Sequence, residues 1–380
     1  MRIAIVSSLF PPFVIGGAEM MAASLARALR GLGHEVEVIS TAGSTGAGEW
    51  EGIRVWRVAP WNVPRTNRLT RAAWHAVDLW NPSVFGPVSE ALAQARPDVV
   101  NTHNIDGFSP AVWQAARKHT RAIVHTLHDY HLVCPRATMR RAGGRACERL
   151  CRFCSLYAQY NALFQKNVRT LVAPSRAVAE MHREAGWTGP ALEIVRNAVD
   201  VPAIELPTLP AAEPLRVLFL SRLEREKGCE TLLSAIPRCS GLEFHVAGRG
   251  PYQDRFQTAN VRWHGFVTGS AKHELLKSSD VFLQISECRE NAPLGAIEAK
   301  RYGLYVLGTK IGGIPELIDG DRDGRLIPPA SAEALCAALA DLSRSKQDIR
   351  SGRRERMQRS EGYGTREMAE EYVRVFRSAF

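Results

Sequence analysis

The stretch VFLQISECRENAPLGAIEAKRYGLYVLG, residues 281–308, decides the architecture. Val281–Ile285 is a short apolar run of strand type, and Tyr305–Gly308 is another. Between them Asn291 or Ala292 suits a helix cap, Pro293 suits a first helical turn and Gly303 suits a stop, so Pro293–Tyr302 is expected as a helix. Strand, helix and strand in so short a span make a βαβ unit, whose two strands run parallel.

The same alternation runs through the rest of the chain. Ile3–Val6 is a strand, followed by a loop holding Pro11, Pro12, Gly16 and Gly17, a helix over Ala18–Arg30 stopped by Gly31 and Gly33, and a strand at Glu35–Ile39. Asp98–Val100, Ala122–His125, Thr170–Val172 and Leu192–Val195 are further strand candidates, and Ser175 suits the N-cap of the helix after its strand. Four prolines in Val201–Pro214 mark a linker. The alternation then restarts, with strands at Leu215–Leu220, Leu242–Val246 and Val261–Gly265 and helices at Gly228–Ile236 and Ser270–Ser278. At roughly 150 residues per domain, 380 residues allow two or three domains. The expected division is an N-terminal α/β domain over 1–200, the linker 201–214, a second α/β domain over 215–360, and a C-terminal helix within 361–380 that docks back on the N-terminal domain. Two such halves place a ligand cleft at the carboxyl ends of the strands.

Composition narrows the classes of function. An apolar content of 45% and a charged content of 23% suit a soluble globular protein with a large core. No apolar run approaches the roughly 20 residues of a membrane span, and the first ten residues are too short and strand-like for a secretion signal, so the cytosol is the expected compartment. Net charge is +10, which favours an acidic partner such as a nucleotide phosphate or an anionic lipid. Part of the excess is clustered: Arg136–Arg152 holds six Arg and one Glu, and Arg344–Arg359 holds seven basic residues with one Asp and one Glu. These clusters are either solvated helix faces or contacts to a headgroup surface, with the protein then peripheral at the inner membrane face. No zinc-finger spacing, RNA-recognition signature or zipper is present, so nucleic acid is not expected as a partner.

Several residue groups can carry chemistry. Gly16 and Gly17 before a helix let backbone N–H groups approach a phosphate, although such a pair also makes a plain turn. The pattern does not match the dinucleotide fingerprint, which disfavours a nicotinamide oxidoreductase. Arg222 and Lys227 sit between a strand and a helix, where two cations suit a pyrophosphate; Glu224 and Glu226 in the same loop offer a self-paired alternative. Glu290 falls in a loop and Glu298 inside the following helix, so each can accept from hydroxyls on a different part of one sugar-bearing ligand. Residues Asn291, Ala292, Pro293, Leu294 and Gly295 span the helix start, where amide groups have no intrahelical partner. His125, His128 and His131 follow a strand closely, with Asp129 beside His128 and His103 after an earlier strand. Cys134, Cys147, Cys151 and Cys154 cluster with a C-x-x-C end, which suits a structural zinc; an iron–sulfur cluster, disulfides and plain thiols are the alternatives.

Taken in order, these motifs resemble the retaining GT-B fold glycosyltransferases of family 4 over essentially the whole chain. The resemblance rests on Gly16–Glu19, Pro97–His103, Thr126–Asp129, Ala173–Ser175, Arg222–Lys227, Ala247–Pro251, Glu290–Pro293 running to Glu298, and Gly312–Glu316. It implies two Rossmann-like α/β domains facing each other across a cleft. It implies transfer of a hexosyl group from a nucleotide-diphosphate sugar to a glycan or lipid-linked hydroxyl acceptor, with no metal needed for catalysis. By resemblance Gly16 and Gly17 approach the donor diphosphate, and Arg222 and Lys227 bind it as the nucleotide leaves. Glu290 and His128 lie at the transferred sugar, residues 291–295 supply amides near the sugar and phosphate, and Glu298 holds the ribose. His103 and Asp129 are expected to line the cleft on the acceptor side. Ala198 and Ser221 stand where the family commonly has glycine. A sugar-nucleotide epimerase or hydrolase on the same fold, and a non-catalytic basic protein binding membrane or RNA, are the competing readings.

Overall fold

The computed structural model of the protein describes residues 1–14, 16–63, 66–140, 146–202, 205 and 213–380. Most of the expected linker 201–214 lies outside the described residues. The chain divides into two compact units, one of Met1–Met139, Glu148–Asn197 and Thr365–Phe380, the other of Arg140–Cys147 and Ala198–Gly364.

The first unit is built on β1 (Arg2–Ser7), β2 (Glu35–Thr41), β3 (Gly46–Trp50), β4 (Ile53–Val58), β5 (Val99–Thr102), β6 (Ile123–Thr126), β7 (Thr170–Ala173) and β8 (Ala191–Ile194). Their order in the sheet is β3-β4-β2-β1-β5-β6-β7-β8, and every pair is parallel except the β3–β4 hairpin. Ile3 to Val6 of β1 are all buried, as a central parallel strand covered on both faces requires. The helices are α1 (Gly17–Gly31), α2 (Arg68–Leu79), α3 (Phe85–Ala95), α4 (Ala111–Ala116), α5 (Arg152–Ala162) and α6 (Arg176–Glu184). Ser175 caps α6 as expected, its hydroxyl accepting the Val178 N–H.

The second unit carries β9 (Leu215–Leu220), β10 (Leu242–Ala247), β11 (Val261–Trp263), β12 (Val281–Gln284), β13 (Tyr305–Thr309) and β14 (Gly324–Ile327) in the order β11-β10-β9-β12-β13-β14, all parallel. Its helices are α7 (Cys229–Ala235), α8 (Gly269–Ser278), α9 (Leu294–Arg301), α10 (Ala332–Arg344), α11 (Lys346–Ser351) and α12 (Arg353–Arg359). The period of two in β9 sorts its side chains: Leu215, Val217 and Phe219 join one apolar cluster with Leu232 and Leu339, while Leu218 joins another with Phe282 and Tyr302. Pro293 is the N-cap of α9 and Leu294 its first residue, so the helix starts one position later than expected because Pro293 holds an extended ψ of 118°.

The last helix, α13 (Thr365–Ser378), belongs to the first unit. It buries Met368, Ala369, Tyr372, Val373 and Phe376, packs on α1, and its Tyr372 hydroxyl lies 3.2 Å from Thr126 Oγ1 on β6. No helix among the described residues is long and apolar enough to cross a membrane.

The basic stretch Arg344–Arg359 divides: Arg344, Arg354 and Arg359 are exposed, as a solvated or headgroup-facing cluster would be, whereas Arg353 and Arg356 are buried. Arg353 donates to the carbonyls of Tyr302, Ser279 and Leu276, and Arg356 to that of Gly303. Five N–H donors in a planar fork let one guanidinium close several orphan carbonyls at once. Burial lowers both below the usual arginine range, to about 10.

In each sheet the strand order reverses at one place, between β1 and β5 in the first unit and between β9 and β12 in the second. The crevice beyond the carboxyl ends of such strands is where open α/β sheets bind ligands.

Candidate active site

In the second unit the switch point brings two loops together, Ser221–Gly228 after β9 and Ile285–Pro293 after β12. The Glu287 N–H bonds the Glu226 carbonyl at 2.8 Å and ties the loops through the backbone. Lys227 Nζ then reaches Glu290 Oε1 at 2.6 Å, and the Ser286 hydroxyl donates to the same oxygen at 2.6 Å. Both charged side chains are mostly buried. Burial works against the Lys227 ammonium, but Glu290 beside it prevails and holds its pKa above the ordinary lysine value.

Glu290 is placed by a motif whose role the sequence alone leaves unstated. The Gly313 N–H bonds the Glu290 carbonyl at 2.7 Å. Gly312 has φ +59°, and a Cβ there would collide with the Glu290 carbonyl oxygen. Behind the other loop, Leu223 N–H bonds the Arg249 carbonyl and Ser221 N–H the Ala247 carbonyl, so Ala247–Pro251 backs the strand end that carries Arg222.

Arg222 follows the self-paired alternative. It is 60% exposed and bonds Glu224 at 2.7 Å and Glu226 at 3.4 Å. Glu226 is also held by Arg140. Glu298, buried on α9, pairs with Lys272 of α8 at 2.7 Å, a partner that no motif announces. Asn291 and Ala292 precede the Pro293 cap, and Leu294 and Gly295 form the first turn of α9.

In the first unit the switch point gathers histidines. His103 Nδ1 lies 2.7 Å from His128 Nε2 with the rings stacked, and His103 Nε2 lies 2.9 Å from Asn101 Oδ1. Asn101 spends its amide N–H groups on Val124 O and Thr126 Oγ1, so its Oδ1 accepts. His103 Nε2 therefore carries the proton, His103 Nδ1 accepts, and His128 donates from Nε2. Both rings are neutral in this chain of bonds. Burial lowers His128 to about 4 and, with the neighbouring His128 and His125, takes His103 well below its ordinary value.

The pH consequence has a definite sign. The folded His128 pKa lies below the unfolded value near 6.5, so on acidification the unfolded chain takes up a proton that the fold refuses. Stability from this group is intact above about pH 6.5 and falls by about 2 kcal/mol from about pH 7 to about pH 5. Urea unfolding at those two pH values is expected to show the drop in the wild type and a smaller one in His128→Gln.

Around this pair lies an ion cluster. His131 Nε2 sits 3.2 Å from Asp78 of α2, whose other oxygen accepts the Gly107 N–H at 2.7 Å. Asp129 accepts the His131 N–H at 2.7 Å. Burial opposes the His131 imidazolium, but Asp78, Asp129 and Asp106 overcome it and raise its pKa to about 9. Burial raises Asp129 despite the nearby His131. Asp78, Asp106 and His131 hold ligating atoms within 4.8 Å of one another, and the protonated imidazole supplies the cation this pocket of carboxylates needs.

Ahead of Gly16 a cavity of about 730 Å³ opens, lined among others by Phe13, Trp61, Asn62, Trp74 and Asp106. Buried Asn81 donates to the carbonyls of Trp61 and Gly107 and so fixes two of its walls. Among the described lining residues Asp106 alone is charged. Glu19 of α1 accepts the Gly16 N–H at 2.7 Å, so the glycine turn is occupied by the helix's own carboxylate, and Gly17 opens the helix.

The four clustered cysteines separate. All are free thiols. Cys154 is hydrogen-bonded to Cys134 and Cys151, and Cys151 caps α5 by accepting the Cys154 N–H at 3.5 Å. Cys147 groups with the second unit, its carbonyl accepting from Arg289.

Comparisons with known proteins agree with this geometry. Residues 15–202 match the family described as Glycosyltransferase Family 4, and residues 214–345 match Glycosyl transferases group 1. An uncharacterized 42.6 kDa protein in the cps region of Klebsiella pneumoniae is 28% identical over 83% of this chain and 87% of its own. The putative colanic acid biosynthesis glycosyltransferase WcaL of Salmonella typhimurium is 30% identical over 36% of this chain and 37% of its own. Alr3699/HepE of Anabaena, solved in complex with UDP, superposes with a TM-score of 0.72 at 16% identity over 100% of both chains. Two parallel α/β units with these strand orders, the Lys227–Glu290 loops at one switch point and the family matches across both halves lead to one conclusion: the chain belongs to glycosyltransferase family 4 and has the GT-B fold.

Proposed function

We propose that this glycosyltransferase moves a hexosyl group from a nucleotide-diphosphate sugar to a hydroxyl acceptor, with retention of configuration, in the cytoplasmic assembly of a polysaccharide or glycolipid. The observation that carries the reading is the Lys227–Glu290–Ser286 cluster, a cation and a carboxylate presented together at the switch point of the second unit. Lys227 and Arg222 take the donor diphosphate, where a buried ammonium stabilises the charge that grows on the leaving oxygen. Glu290 bonds hydroxyls of the transferred sugar, Lys272 orients Glu298 toward the ribose, and neutral His128 bonds the donor sugar. The bond from C1 to the phosphate oxygen breaks while the acceptor oxygen bonds C1 on the same face. The acceptor proton passes to the departing phosphate oxygen, so these cationic side chains do the work without a metal.

The cavity walled by Phe13, Trp61 and Trp74 suits the acceptor. Aromatic faces pack on the C–H face of a sugar ring and Asp106 accepts its hydroxyls, while a lining with no described cation does not suit a phosphate. The UDP of the HepE complex and the colanic acid pathway named for WcaL support the donor class and the setting.

The test is a thermal-shift panel of nucleotide sugars. One donor class is expected to raise the melting temperature by a few degrees at about 100-fold its Kd, equivalent to about 2.7 kcal/mol. Failure of every nucleotide sugar to shift it overturns the reading.

A further inference from the structure

The start of α5 holds chemistry that the proposed transfer does not use. Cys151 is its N-cap, and the Cys154 N–H donates to Cys151 Sγ at 3.5 Å. The Cys154 thiol bonds the thiols of both Cys151 and Cys134. Three sulfurs therefore meet at one end of a helix of 11 residues.

Their accessibility assigns different roles. Cys151 is exposed, Cys154 is half-buried and Cys134 is buried. An exposed thiol at a helix N-terminus, next in the chain to the exposed Arg152, is where a thiolate is favoured. The Cys154 amide and thiol hold Cys151 below its ordinary pKa, whereas burial pushes Cys154 up to about 12. One sulfur is thus fit to attack and its neighbour to resolve. Cys239 and Cys336 make the contrast. Their sulfurs lie 3.5 Å apart, but Cys239 is buried and neither residue caps a helix N-terminus.

We propose that Cys151 and Cys154 form a thiol–disulfide exchange site for a low-molecular-weight disulfide, RSSR. The Cys151 thiolate attacks one sulfur of RSSR and expels RS⁻, which leaves Cys151 in a mixed disulfide. The Cys154 thiol loses its proton to solvent, and its sulfur attacks Cys151 Sγ and expels the second RS⁻. Two protein thiols are oxidised to one disulfide, and RSSR is reduced to two RSH that take up the two protons. The site also touches the histidine loop. The Cys134 N–H bonds the Tyr130 carbonyl at 2.7 Å, Asn161 of α5 donates to the Leu132 carbonyl, and Tyr157 packs on His131. Oxidation removes the Cys154 thiol proton from the contact with Cys134, so the state of the pair reaches that loop. None of this depends on the transfer reading.

The test is exposure of the reduced full chain to excess glutathione disulfide near neutral pH, followed by thiol counting and mass spectrometry of its peptides. The wild type is expected to lose two of its eight thiols and to carry a Cys151–Cys154 disulfide. Cys154→Ser should stop at a stable glutathione adduct on Cys151. Cys151→Ser should slow the reaction about tenfold or more, with the serine hydroxyl keeping the helix cap. Cys239→Ser should react as the wild type does. Melting curves in reductant check that the variants fold. The proposal is overturned if the wild type keeps all its thiols, if the disulfide or the adduct maps to other cysteines, or if the two thiols react only after a chelator strips a bound zinc ion, since they are then metal ligands.

Discussion

Lys227→Ala is expected to lower kcat/KM for glycosyl transfer by about 10²- to 10³-fold while the protein stays folded. Lys227 Nζ is a cation held mostly buried and 2.6 Å from Glu290, where its charge is weakly screened. In the proposed mechanism, removing it takes away the charge that meets the departing diphosphate and leaves Glu290 as an unbalanced anion beside the leaving group. Arg222 does not replace it, since its side chain is 60% exposed and bonded to Glu224 and Glu226. Glu290 keeps the Ser286 hydroxyl but loses its buried counter-charge, so a lower melting temperature is expected beside the kinetic loss, with the fold retained. Steady-state kinetics beside a melting curve checks this, and a loss below about threefold, within the spread of ordinary surface substitutions, would contradict it.

Gly312→Ala is expected to combine a large stability loss with loss of transfer. The residue sits at φ +59°, where a Cβ costs about 1–2 kcal/mol, and the added methyl meets the Glu290 carbonyl oxygen, which cannot move without displacing the Glu290 side chain. A total of about 2–4 kcal/mol corresponds to a melting temperature lower by about 5–12 °C. Gly265→Ala serves as the comparison. Its φ of +66° is similar, but its Cβ meets nothing within 4 Å. It should lose only about 1 kcal/mol and keep its activity. Equal behaviour of the two variants would show that backbone strain alone, not the placement of Glu290, sets the effect.

The parts of the fold with a local cause are legible in the sequence. β9 matches the expected span residue for residue, because five apolar residues interrupted only by Arg216 are bounded by proline and a polar loop. α1, α6, α9 and α13 carry their own caps, stops or amphipathic period. The β3–β4 hairpin is not legible, since β3 reads Gly-Ala-Gly-Glu-Trp and four of its five residues are exposed. It forms because β4 offers an edge, which is a tertiary cause. Within the basic run Arg344–Arg359 the burial of Arg353 is hidden for the same reason: it finds buried carbonyls about 50 to 77 residues away in the chain, and nothing local announces them.

The candidate site divides along the same line. Lys227, Glu290 and His128 stand in motifs, and the structure brings Lys227 to Glu290 and His128 to His103. Lys272 on Glu298, Asp78 on His131 and Asn81 behind Trp61 are pairings made by packing between elements, and no spacing rule reaches them. The glycine pair at 312–313 carries a readable signal, an αL-prone turn after a strand, but its task of gripping the Glu290 backbone emerges only once β12 and β13 lie side by side.

In the proposed function Glu290 and Lys227 serve transfer to an acceptor rather than turnover of the donor alone. Release of nucleoside diphosphate, followed with and without a membrane-extracted acceptor fraction, distinguishes the two. Release that requires the acceptor in the wild type and is absent in Glu290→Gln is the expected result. Release at the same rate without acceptor, or undiminished in Glu290→Gln, would contradict it.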